Sequence, residues 1–365
     1  MNTATDRVLR DAFAQIADEP APVGLGPAAL RLARRQRRRR TLLAVGAAVV
    51  LAAVATPIAL HGADKKPTLP TGFQNSPLVV TAYSGTSTGT PKSLLLNKVT
   101  GAYAELPYLS AVPSPDGQRV LVRTGEDTPQ SPLRSGILDP VTGEVRWIAT
   151  YTGPGAWSPD GSAILFTERT RVDQRGFAIV SATTLKATFV PVNFAVGNST
   201  GLDFVWGRDS GEVAQTLSDA NGETQADMVT GIRFYTIAGE LARTLPATAE
   251  LRSADAFSPD RSRIALHDLG GGAMQIVSAD TGAVERTIAV QGHTELVGWA
   301  DDDHLLTRHW AADRTESEIR VIDLTGRTTA VAPLIAAGST ADGISIGSAA
   351  GLSETAAGLS FSVAG

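Results

Sequence analysis

The chain has 365 residues, 43% of them apolar, and a formal charge of −5, enough for one large domain or two average ones. It contains no cysteine, which excludes disulfides, thiolate metal sites and a lipoprotein anchor. The charge is unevenly spread, with nine arginines against four acids in residues 1–60 (net +5) and a net of −10 beyond them, so the larger part lacks the basic surface that a nucleic-acid partner requires.

Residues 1–40 read as a short helical and basic segment. In "TDRVLRDAFAQIA" the residues Val8, Leu9, Ala12, Phe13 and Ile16 fall on one helical stripe, with Thr5 or Asp6 available as a cap. "ADEPAPVGLGP" breaks this helix, and a second is expected from Ala28 onward. A segment this small buries little by itself, so residues 5–17 are expected to lie on lipid, on another helix or on a cytoplasmic regulator.

Residues 41–60, "TLLAVGAAVVLAAVATPIAL", hold no charge over 20 positions, and a helix of that length spans roughly 30 Å, the thickness of a bilayer's hydrocarbon core. The preceding "RRQRRRR" outweighs Asp64, Lys65 and Lys66 on the far side. A single-pass anchor with a cytoplasmic N-terminus and an extracytoplasmic C-terminal part is therefore expected. The alternative is signal-peptidase cleavage after "AVA" (53–55), giving a secreted protein, although an n-region of about 40 residues is long for a cleaved signal. Residues 61–76 form a Pro- and Gly-punctuated linker.

Beyond the linker the pattern changes to short apolar alternations separated by turn residues, and no further helix is expected. One phrase repeats: "GAWSPDGSAILF" at 155–166, "AFSPDRSRIAL" at 256–266, and three fainter copies. Aligned, it puts Pro113, Trp157, Trp206, Phe257 and Trp299 in one column, and Asp116, Asp160, Asp209, Asp260 and Asp302 in another. Spacings of 44, 49, 51 and 42 residues, with about four strands to the unit, are the period of propeller blades. In "SPDG", Pro fixes φ at the first central turn position, Asp bonds back to the backbone, and Gly (Gly161 in the clearest copy) takes the left-handed conformation. The aromatic column is expected to fill the wedges between blades, each residue contributing on the order of 2 to 3 kcal/mol by burial. Trp157, Asp160, Gly161, Trp206, Phe257, Asp260 and Trp299 are thus structural blade residues.

A second turn follows each third strand: "NKVTG" (97–101), "DPVTG" (139–143), "SATTL" (181–185), "TIAG" (236–239), "SADTG" (278–282) and "DLTG" (323–326). Six of these against five of the first phrase imply that blade one lacks its innermost strand. The C-terminal stretch "GISIGSAAGL" (343–352) is expected to supply it and close the ring. An all-β, six-bladed propeller over 77–352 follows, with 353–365 as a C-terminal tail.

These phrases resemble the WD40-like (PD40) repeats of the TolB family, whose units carry the same "WSPDG" and whose propeller has six blades. The resemblance covers about residues 76–352 and is strongest at Trp157 to Gly161 and Phe257 to Asp260. It implies fold more than function, because the N-terminal domain of TolB is replaced here by the apolar segment. The layout is also similar to membrane-anchored propeller proteins of high-GC Gram-positive bacteria.

Chemistry is sparse. "GTSTG" (85–89) and "GNSTG" (197–201) spell a nucleophile elbow but lie in loops of an all-β repeat, where the strand-to-helix turn it needs does not exist. The five histidines, His61, His267, His293, His304 and His309, form no H-x-x-x-H pair, so no metal is predicted. No dinucleotide or phosphate loop occurs, and no cofactor and no catalytic residue are assigned. What remains is a binding surface on the longer second-to-third-strand connections, 124–135, 168–176, 218–231 and 308–318. "ERTRVDQR" (Glu168, Arg169, Arg171, Asp173, Arg175) and "RHWAADR" (Arg308, His309, Trp310, Arg314) carry the residue types that dominate interfaces; the plain alternative is ordinary solvated loops.

The expected function is a non-enzymatic, membrane-anchored propeller that binds a protein, peptide or envelope glycan. One alternative is a transmembrane signalling protein of anti-sigma-factor-like layout whose Phe13 helix binds a cytoplasmic regulator. Another is a propeller hydrolase or lyase.

Overall fold

Turns that recur every 40 to 50 residues cut the sequence into antiparallel strands too short to bury a core singly, so the units stack side by side. A computed structural model describes residues 77–86, 92–125, 133–149, 154–168, 175–192, 199–219, 228–268 and 272–362. The two expected N-terminal helices, the apolar segment 41–60 and the linker 61–76 lie outside the described residues. Among the described residues no helix is long and apolar enough to cross a membrane.

The strands form six sheets. Blade 1 holds β1 (Leu78–Thr86), β2 (Lys92–Leu96) and β3 (Tyr103–Leu106). Blade 2 holds β4 (Ser110–Pro113), β5 (Val120–Thr124), β6 (Arg134–Leu138) and β7 (Val145–Trp147). Blade 3 holds β8 (Gly155–Trp157), β9 (Ala163–Glu168), β10 (Gly176–Ser181) and β11 (Ala187–Pro191). Blade 4 holds β12 (Ser199–Trp206), β13 (Glu212–Asp219), β14 (Met228–Thr236) and β15 (Leu241–Leu245). Blade 5 holds β16 (Arg263–His267), β17 (Ala273–Ser278) and β18 (Val284–Ala289), and blade 6 holds β19 (His293–Asp301), β20 (His304–Trp310), β21 (Ser317–Asp323) and β22 (Thr328–Val331). The last strand, β23 (Gly343–Ser348), returns to blade 1, giving the order β23-β1-β2-β3.

The ring closes in two places. β23 pairs antiparallel with β1, with Leu78 opposite Ser348 and Ser84 opposite Gly343. The tail then forms a 3₁₀ turn (Glu354–Leu359) and comes back to Leu78, whose N–H donates to the Phe361 carbonyl (2.7 Å) while the Phe361 N–H donates to that of Leu78 (2.9 Å). Phe361 packs with Leu78, Leu306, Ile319 and Val321 in the wedge between blades 6 and 1.

Each remaining wedge has its own core. Strand alternation sends Ile164 and Phe166 toward blade 2 and Leu165 toward blade 4, so a blade is buried on both faces, and its strands read as continuous apolar runs. Blades 4 and 5 meet through Phe234, Ile232, Phe257 and Ile264, and blades 5 and 6 through Met274, Ile276, Trp299 and Leu305.

Blade 5 departs from the expected four strands. A 3₁₀ turn, Ala254–Ala256, interrupts its inner strand, leaving two isolated bridges to β16, Glu250 to His267 and Phe257 to Ile264. "RSADAF" supplies none of the β-branched residues that hold an inner strand, and Gly298 of blade 6 lets the Asp255 backbone approach closely.

Candidate functional site

The two ends of the ring are chemically unlike. First-to-second and third-to-fourth strand turns share one end, the corner face, where Asp116, Asp139, Asp160, Asp209, Asp260 and Asp323 accept bonds from their own turns. In the corner after β8, Ser158 Oγ donates to Asp160 Oδ1 (2.6 Å), the Ser162 N–H donates to the same oxygen (3.0 Å), and Gly161 sits at φ 70°. The corners at Asp116 and Asp260 repeat these bonds. Burial opposes ionisation of Asp160, yet the bonds from Ser158, Ser162 and Ser210 outweigh it and hold the carboxyl down at about 2. These acids shape turns.

The aromatic column links neighbouring blades. Trp157 Nε1 donates to Val112 O (2.8 Å), Trp206 Nε1 to Ala156 O (2.9 Å) and Trp299 Nε1 to Ala256 O (2.7 Å). Arg119 lies over Trp157 and Arg263 over Trp299, and each guanidinium reaches a carbonyl of the next corner, Gly161 or Asp302. Phe257, the fourth member, has no side-chain N–H; it is 3% exposed and its ring meets Phe234 edge-on at 6.4 Å.

At the opposite end, Glu168 and Arg175 flank the β9–β10 connection, while Arg169, Arg171 and Asp173 lie outside the described residues. The β20–β21 connection is fully described and differs from expectation. Strand β20 continues through Trp310, so "RHW" is strand, and only 311–316 form the turn. Alternation therefore sends Arg308 and Trp310 to one side of blade 6 and His309 to the other.

Arg308 is buried at 3% exposure. Its Nε donates to Ser317 Oγ (2.8 Å), its Nη1 to Asp342 O (3.0 Å) and its Nη2 to Ala341 O, and it stacks 3.8 Å from the centre of the Trp310 ring. Burial pushes its pKa down to about 10, with Glu295 and Asp342 opposing. Arg308 ties blade 6 to the connection that leads into β23, a role in the fold. Trp310 covers it, and the Trp310 indole nitrogen is buried with no hydrogen-bond partner among the described residues.

Arg314 is exposed at the turn, with a left-handed backbone (φ 58°), and its Nη2 reaches His293 Nδ1 at 3.4 Å. His293 in turn meets Glu295 (3.3 Å). Burial and the Arg314 charge together lower the His293 pKa against the pull of Glu295. On the other side of β20, His309 lines a cleft of about 220 Å³ between blades 5 and 6, with Val290, Gln291, Thr294, Arg320 and Ile322. His293, Thr294 and Arg320 escape a reading by sequence because strand pairing, not proximity in the chain, brings them to His309 and Arg314; His293 lies opposite Trp310.

This is the architecture of a six-bladed β-propeller. Solved structures similar to it include TolB from Acinetobacter baumannii (16% identity, TM-score 0.48, covering 70% of this chain and 63% of that one). They also include a putative TolB from Agrobacterium tumefaciens (15%, 0.44, 70% and 88%) and a putative 6-phosphogluconolactonase from Bacteroides uniformis (17%, 0.42, 71% and 82%). The chain thus spans less than two thirds of the Acinetobacter protein it resembles. No family model matches the sequence, and no curated protein does.

Proposed function

We propose that this chain is a membrane-anchored, non-enzymatic member of the TolB-like (PD40) repeat propellers, of the form found in high-GC Gram-positive bacteria, which binds a protein, peptide or glycan of the envelope. The observation that carries the reading is the contrast between the two ends. On the corner face Asp116, Asp139, Asp160, Asp209, Asp260 and Asp323 bond their own turns and Asp280 and Asp302 bond neighbouring blades, whereas blade 6 offers an exposed guanidinium at Arg314, a half-buried Trp310 and a polar cleft at His309. Interface anchors are drawn from these residue types on rigid scaffolds.

β1 begins on the corner face, where the Ala349 N–H donates to Pro77 O (2.8 Å). The chain thus enters the propeller at Pro77 on the corner face, the end away from Arg314 and the β20–β21 turn.

The reading is tested in intact cells by placing a photo-crosslinking residue at 314 or at corner-face position 183. The expected result is a discrete adduct from 314 and none from 183, in protein that fractionates with membranes and retains its N-terminus by mass spectrometry. Equal adducts from both positions, or a soluble mature form starting after residue 55, would sink it.

A further inference from the structure

The cleft between blades 5 and 6 carries a more specific message, which rests on reading that end of blade 6 as the ligand-facing surface. Its floor is the blade-5 side of β20, β21 and β22 with Gly326 of the β21–β22 turn, so it runs from the His309 end along the blade toward the corner face, and its wall is the chain leaving β18 at Ala289 to Gln291. Thr294 and Thr307 are buried at 5% and 1% exposure, so the polar groups here are built into the sheet.

A single proton settles what the cleft presents. A threonine hydroxyl has one hydrogen, and that of Thr294 is spent on Gln291 O (2.9 Å). The 3.1 Å contact between Thr294 Oγ1 and His309 Nδ1 must then be a bond donated by Nδ1–H. Burial, together with the Arg320 charge, lowers the His309 pKa, so the ring is neutral near pH 7 and its Nε2 bears a lone pair. No described residue donates to that nitrogen. Arg320, the one cation lining the cleft, is already paired with Glu318 through Nε and Nη2.

The site therefore has no net charge, a bare imidazole acceptor, hydroxyl and amide groups at its rim, and an apolar strip from Val290 and Ile322. The one cation lining the cleft among the described residues, Arg320, is compensated by its pairing with Glu318, so a charged ligand finds no unpaired counter-charge there. Its volume of about 220 Å³ matches about seven waters at about 30 Å³ each, the space of one six-membered ring bearing hydroxyls. We propose that this cleft is a subsite for one neutral sugar unit of a glycan, with a ligand hydroxyl donating to His309 Nε2 and the ring's C–H face lying on Ile322 and Val290.

The test uses the full chain in lipid nanodiscs and saturation-transfer NMR with free glucose, galactose and N-acetylglucosamine, and with N-acetylglutamine amide as the peptide-like probe. Saturation of sugar C–H protons is expected, at a dissociation constant on the order of millimolar. Loss of one hydrogen bond to a neutral acceptor weakens binding by about tenfold, so His309→Leu is expected to show that loss in protein that still melts cooperatively, and His309→Gln, which keeps an acceptor, to retain most of the signal. Saturation of the amide alone, equal sugar signals in wild type and His309→Leu, or silence from every probe overturns the proposal. An adduct captured from position 314 in a protein whose cleft ignores sugars leaves the broader reading standing and removes only this one.

Discussion

Trp206 of blade 4 donates its indole N–H to the backbone oxygen of Ala156 in blade 3, across 2.9 Å. The acceptor immediately precedes Trp157, which makes the same bond to Val112 of blade 2. Inner strands are thus chained to one another by side-chain-to-backbone bonds in the middle of the apolar wedges, where an unmet carbonyl is costly. Replacing Trp206 by Phe keeps most of the packing and removes the second of two bonds to the Ala156 oxygen, which also pairs with Leu165 in the sheet, so a loss of about 0.5 to 1.5 kcal/mol is expected. Trp206→Ala adds a cavity, for about 3 to 5 kcal/mol. Urea unfolding of both variants checks the order, and a Phe variant as stable as wild type contradicts the role given to the bond.

The corner carboxylates make stability depend on acid. Asp160 has a folded pKa of about 2, below its unfolded value of about 3.9. Its contribution is present above the unfolded value and is lost as pH falls from about 4 toward about 2. Melting temperature should drop through that window, and Asp160→Asn should flatten the drop while lowering stability at pH 7. A parallel pH profile for the variant would refute the assignment.

Arg261 occupies the position that Gly117 and Gly161 hold in the sister corners, at φ 63°. Glycine removes strain of about 1 to 2 kcal/mol there and returns a similar part through unfolded-chain entropy, so Arg261→Gly should change stability little. The side chain has another role. Burial pushes the Asp255 carboxyl up, and the Arg261 charge restrains the shift. Carbon-13 titration of Asp255 should therefore move further upward in Arg261→Gly, and an unmoved or lowered midpoint argues against the coupling.

Phe361 is 8% exposed in the wedge where the ring closes. Phe361→Ala is expected to cost about 3 to 5 kcal/mol, and removing 353–365 at least as much. Protease resistance should fall first at residues 77–80 and 343–348, because Leu78 loses its pairing with Phe361 on one edge of β1 and β23 depends on β1 at the other. Uniform loss of protection around the ring would show that closure is not a local latch.

Two arginines six residues apart should behave oppositely. Arg308→Ala leaves Ala341 and Asp342 oxygens without their donor and is expected to cost about 2 to 4 kcal/mol. Arg314→Ala, at an exposed turn, should stay within about 0.5 kcal/mol of wild type and still lose ligand capture. Similar melting curves for the two would contradict the division.

The blades were legible because turn chemistry is local. Ser-Pro-Asp-Gly spells its own hydrogen bonds within five residues, and the surplus of one turn type over the other announces a strand arriving from the far end of the chain. The interrupted inner strand of blade 5 was hidden, since its "SPD" corner is intact and the break at Ala254–Ala256 depends on packing with blade 6. The blade 6 site was only partly visible. "RHWAADR" signals an interface by residue type, but a strand that continues to Trp310 places Arg308 inside and His309 in a cleft.

By itself the sequence determined the number of units, their all-β character and the use of the C-terminal strand to shut the ring, because spacing and turn residues act over a few bonds. Only the tertiary structure decided which charged side chains are spent and which are free. That outcome is set by atoms from other blades, such as the Ala341 carbonyl beneath Arg308 or the Thr294 hydroxyl beside His309, whose arrival no local pattern encodes.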